Sequence, residues 1–117
     1  MEERRRQSLL LDFYGELLTE KQRGCYDLHV NEDLSLSEIA EQLGVSRQGV
    51  WDNIRRAESA QTEIEEKTGL MARFEEMRSA LGGAAAKLEK LAALTDGEAR
   101  SLAQQLAEEL RALRDRG

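Results

Sequence analysis

Ser46, Arg47, Gln48, Trp51, Arg55 and Arg56 fall within eleven consecutive positions, and their types suit recognition of another molecule. Arg47 and Gln48 carry donors and acceptors that can read base edges. Ser46 can contact a phosphate, and the guanidiniums of Arg55 and Arg56 can pair with phosphates. Trp51 and Asp52 share that exposed side and argue the other way: a bulky indole fits a groove poorly, and a carboxylate repels phosphate. An exposed tryptophan flanked by arginines equally matches the anchor of a protein interface, where both residue types are enriched. Structured RNA is a third fit, stacking on Trp51 while its phosphates pair with Arg47 and Arg55. The blander alternative leaves Arg55 and Arg56 solvated and Trp51 partly covered by a neighbouring helix.

Elsewhere the residue types offer no reaction. Cys25 is expected to be a small core residue, since no base or ligand neighbours it. His29 stands alone among polar residues and is expected at a surface or loop. The pairs Glu65-Glu66, Glu75-Glu76 and Glu108-Glu109 diverge around helix axes and are expected to be solvated faces. No phosphate-cradling glycine loop, zinc spacing or hydrolase elbow occurs. The expectation is a protein that is not an enzyme and takes no metal and no cofactor.

The elements that must hold those six residues are legible around them. Ser35 and Glu38 spell a capping box that starts a helix near Leu36, with Leu36, Ile39, Ala40 and Leu43 on one stripe. Gly44 can end that helix in the left-handed conformation, Val45 plugs the corner, and Ser46 can cap the next helix. In that second helix Val50, Ile54 and Ala57 point inward. This is a helix-turn-helix, a unit able to lay its second helix in a major groove.

Upstream, a helix over about 5–18 carries Leu10, Phe13, Tyr14, Leu17 and Leu18 inward, and a second capping box at Thr19 and Gln22 opens a helix to about Val30. Downstream no stop signal follows Ala57. Gly69 can break or kink the run, and Gly82-Gly83 is the expected boundary. Leu88, Leu91 and Leu94 are expected inward on the next helix. Thr95 and Glu98 form a third capping box before a last helix with Leu102, Ala103, Leu106, Leu110 and Leu113. The expected architecture is all-α: a helix-turn-helix bundle of four helices over 1–60. An extended helix and C-terminal helices over 61–117 serve packing or dimerisation.

With 117 residues there is room for one domain and an appendage. There is no proline, where average usage of about 5% gives roughly six, which favours helices. A modest leucine and alanine core points to a homodimer. One cysteine suits a reducing cytoplasm, and no stretch reads as a signal peptide or membrane span. The net charge of −6, with residues 1–60 themselves acidic, argues against a dedicated nucleic-acid binder. Arg47, Arg55 and Arg56 could still form a local positive strip.

Three segments carry a family resemblance: Asp12 to Arg23 (DFYGELLTEKQR), Asp33 to Gln48 (DLSLSEIAEQLGVSRQ), and Asp52-Asn-Ile54 with the basic pair after it. Over Leu9–Arg56, and more loosely to Phe74, the chain resembles the YlxM-type family of small bacterial helix-turn-helix proteins. That resemblance implies a fold similar to region 4 of sigma factors, which reads promoter −35 elements. It also implies a regulatory role in the signal recognition particle pathway, because such proteins are typically encoded beside the particle's GTPase. The implied partners are that GTPase or the particle's RNA, with DNA as the alternative. Gly49 and Trp51 stand where the family usually has alanine and tyrosine.

Overall fold

Thr19, Ser35 and Ser46 each turn a side-chain oxygen back onto the third residue of the helix that follows, and these three caps set the frame of the first half. The computed structural model describes residues 2–116. Among them are six α-helices: α1 Glu2–Tyr14, α2 Glu20–Val30, α3 Leu36–Leu43, α4 Arg47–Thr68, α5 Leu70–Ala93 and α6 Gly97–Arg116. No strand occurs among the described residues, so the all-α expectation holds. By contacts the chain divides into two units, Met1–Met71 and Ala72–Gly117.

In the first unit α4 packs most extensively on α2 and also on α3 and α1. Cys25, Ile39, Ala40 and Val50 form a core beneath the helix-turn-helix, closed by the half-buried Val45 and Ile54. Tyr26, Val30 and Ala57 form a second cluster, and Leu10, Tyr14 and Met71 a third. Both early capping boxes are complete, at Thr19 with Gln22 and at Ser35 with Glu38. Gly44 adopts φ +67°, the left-handed value that the turn after α3 requires.

Several expectations are corrected. The first helix starts at Glu2 and tightens into a 3-10 turn, Gly15–Leu17, so Leu17 rotates outward and lies 70% exposed. Gly15 is buried, and a Cβ there would sit 3.0 Å from Leu11 Cδ1, so that side chain would have to give way to a larger residue. Leu43 is exposed at the end of α3 rather than in its stripe. Glu65 is more than a solvated carboxylate. It accepts hydrogen bonds from the Tyr14 hydroxyl at 2.5 Å and the Met71 amide at 2.9 Å, and so binds α1 to the chain around Gly69. Gly69, at φ +63°, ends α4, and its amide donates to the Glu65 carbonyl.

In the second unit the boundary expected at Gly82-Gly83 does not exist: α5 runs through both glycines. A Cβ at position 82 would sit 3.4 Å from the Arg114 guanidinium, so the small residue lies where α6 crosses. Helix α6 returns antiparallel to α5, with Arg111 paired to Glu89 at 2.6 Å. The contact between the helices is made by Ala85, Ala92, Ala103 and Ala107. Leu91, Leu94, Leu102, Leu106 and Leu113, expected inward, are exposed, whereas Leu88 and Leu110 are half-buried on the same stripes as the alanines. Thr95 donates to the Leu91 carbonyl at 2.9 Å and finishes α5 instead of capping α6. No described helix is long and apolar enough to cross a membrane.

Candidate binding surface on the second helix of the motif

Residues 47–56 stand on α4 because Val50, Ile54 and Ala57 hold its opposite side in the core. Ser46 supplies the first link. Its hydroxyl oxygen accepts from the Gly49 amide at 3.0 Å, so the proton remains available to donate outward. Arg47 and Gln48 follow, both exposed. The Gln48 amide donates to Asp52 at 3.2 Å, one helical turn on. Asn53 is turned inward along the helix, donating to the Gly49 carbonyl at 2.8 Å.

Trp51 is 42% exposed, and the Arg55 guanidinium lies over its ring, 4.8 Å from the centroid. This is cation–π geometry. The indole forms a ridge between two shallow depressions. One is lined by Leu36, Arg47, Gln48 and Trp51, the other by Trp51, Asp52, Arg55, Arg56, Ser59, Ala60 and Glu63. All six residues singled out by sequence therefore lie on or beside one surface. Leu36 from α3 and Ser59, Ala60 and Glu63 farther along α4 were missed. The signal for the latter was present, since positions 55, 59 and 63 continue one helical stripe.

The electrostatics beside this surface are mixed. Glu38 holds the start of α3, accepting from the Ser35 amide at 2.9 Å, and that bond keeps its carboxyl below the usual range. The anion position that a helix N-terminus offers is thus already filled by the chain's own carboxylate. Asp33 is likewise held low by the Arg4 guanidinium at 2.7 Å, away from the α4 surface. Cys25 is fully buried, as expected, and burial pushes its thiol up. His29 is half-buried, with Nδ1 3.3 Å from the Leu34 carbonyl. Among the described residues no group of three or more His, Cys, Asp or Glu could hold a metal ion.

An all-α body whose second motif helix carries an open polar face defines a helix-turn-helix protein. The chain belongs to the UPF0122 family, described as "Putative helix-turn-helix protein, YlxM / p13 like", whose sequence model matches residues 1–108. The match extends well beyond Phe74, where the resemblance read from the motifs ends. The chain is similar to a UPF0122 protein of Acetivibrio thermocellus, 55% identical over 67 residues, covering 57% of each chain. It is also similar to one of Clostridium kluyveri, 58% identical over 71 residues, covering 61% of this chain and 64% of that one. With one of Bacillus cereus it shares 46% identity over 91 residues, 78% of this chain and 79% of the relative. The chain thus spans less than two thirds of the length of the first two relatives.

Proposed function

We propose that this protein regulates the signal recognition particle pathway by binding, without catalysis, to the particle's GTPase or its RNA through the α4 surface. The observation that carries this reading is Trp51, held as an exposed ridge under the Arg55 guanidinium and between two depressions. Large rigid aromatics with an adjacent arginine supply much of the free energy of protein interfaces, and they also serve as stacking platforms for unpaired bases. The pathway itself comes from the family resemblance. The filled anion position at α3, the Gln48–Asp52 bond and the overall acidity favour a protein partner over a nucleic acid.

The test is affinity for the GTPase and for the particle RNA, measured with the native chain and with Trp51→Ala. Folding is checked by circular dichroism, since Val50 and Ile54 beneath the ring are untouched. Loss of about 2 kcal/mol, roughly thirtyfold, toward one of the two is expected and names the partner. The second reading, a sequence-specific DNA-binding regulator, draws on the exposure of Arg47 and Gln48 at the head of α4. It prevails if Trp51→Ala leaves both affinities unchanged while Arg47→Ala abolishes binding to a preferred duplex.

A further inference from the structure

The α5–α6 hairpin has two unlike sides. On one, Glu89, Arg100, Gln104, Glu108 and Arg111 line a polar groove. On the other, Leu91, Leu94, Leu102, Leu106 and Leu113 stand 45% to 79% exposed. An apolar face of that kind marks an interaction surface.

Its spacing is informative. Along α5, Met77, Ala80, Ala84, Lys87 and Leu91, with Leu94 just past its end, recur at intervals of three and four, and all are exposed. Along α6, Ala99, Leu102, Leu106, Glu109 and Leu113 do the same. Each is a heptad seam of the kind that packs helix against helix. Each is separate from the inner seam that already joins α5 to α6 through Ala85, Ala92, Ala103 and Ala107. Helices with two adjacent seams are what a four-helix bundle needs, and this hairpin supplies two of the four.

We infer that a second copy of this chain completes the bundle, hairpin on hairpin. The two-fold axis runs along the helices, so that α5 of one copy lies against α6 of the other. The charges on the seams choose this occupant. The α5 seam is interrupted by one charge, Lys87, and the α6 seam by one of opposite sign, Glu109. Gly82 facing Arg114 and Glu89 paired with Arg111 fix the hairpin's register, and in it Lys87 and Glu109 stand at nearly the same height. Neither has an ionic partner in its own chain among the described residues. A half-turn about the long axis sets Lys87 against the partner subunit's Glu109, twice. The other two-fold arrangement, α5 on α5, puts edges of like charge together. A self-complementary patch is the requirement of an isologous dimer, and one polar residue in a seam fixes register and partner. This inference is independent of what α4 binds.

The experiment is sedimentation equilibrium of the full chain at micromolar concentrations, with helicity followed by circular dichroism. The native chain is expected at twice its 13.2 kDa mass. Leu102→Glu with Leu106→Glu should give a monomer that keeps the α1–α4 signal from Trp51 fluorescence. Lys87→Glu and Glu109→Lys should each weaken the dimer at least about tenfold, and the two together should restore it to within about threefold of native. The inference is overturned by a monomeric native chain, by a dimer indifferent to the leucine changes, or by a double charge variant no tighter than either single one.

Discussion

Gln61 on α4 is fully buried, and neither its amide nitrogen nor its carbonyl oxygen makes a hydrogen bond. Its side chain lies beside the Tyr26 hydroxyl and favours the ionised form of that group. Tyr26 donates to Glu58, and burial together with that bond drives its ionisation far above the ordinary range. The tyrosine therefore stays a neutral donor. The amide beside it carries a desolvation cost of about 1–3 kcal/mol. Gln61→Met keeps the length of the side chain and removes both polar atoms. Its urea midpoint is expected to rise, by an amount equivalent to about 1–2 kcal/mol, with an unchanged slope. A lower midpoint would show that the amide is satisfied in solution and that its burial is not a weakness of the fold.

Among the helices, α2 carries a removable cost. Gly24 lies in its interior at ordinary helical φ, and a Cβ there meets nothing within 4 Å. Gly24→Ala should stabilise the chain by roughly 1 kcal/mol, read as a higher thermal midpoint, because it lowers the entropy of the unfolded chain without strain. Destabilisation would mean that α2 needs the glycine for a contact. The same contrast explains what could be read in the sequence. The caps at Thr19, Ser35 and Ser46 and the turn at Gly44 are satisfied within four residues, so local spacing reveals them. Gly82 has no such local answer. The side chain nearest a Cβ at that position is that of Arg114, thirty-two positions away, so local spacing does not report what surrounds it. The leucines of α5 and α6 were misassigned for a similar reason. Each helix has two neighbouring stripes, and the one with the buried alanines, not the one richer in leucine, turns inward. The α4 surface was legible because its inner side, Val50, Ile54 and Ala57, left the other residues one direction to point.

At the scale of the whole molecule, charge decides which partners can be held by long-range attraction. The chain carries 17 Lys and Arg against 23 Asp and Glu. On the α4 surface the cations are Arg47, Arg55 and Arg56; Arg55 is stacked on Trp51, and Arg55 and Arg56 share their depression with Asp52 and Glu63. A duplex would meet at most these three, with Glu38 and Glu41 exposed on the preceding helix α3. Counterion release scales with the phosphates neutralised, at a slope of about −0.9 for each. Binding of random duplex DNA, followed by anisotropy over a salt series, should therefore give a log–log slope no steeper than about −3 per copy. At physiological salt the dissociation constant should be weaker than about 10⁻⁵ M. A protein partner anchored on Trp51 should depend on salt more weakly still, since its attraction comes from desolvated contact rather than released ions. A slope beyond about −5, with a preferred sequence, would require basic residues outside α4 and would make DNA the ligand this helix was built for.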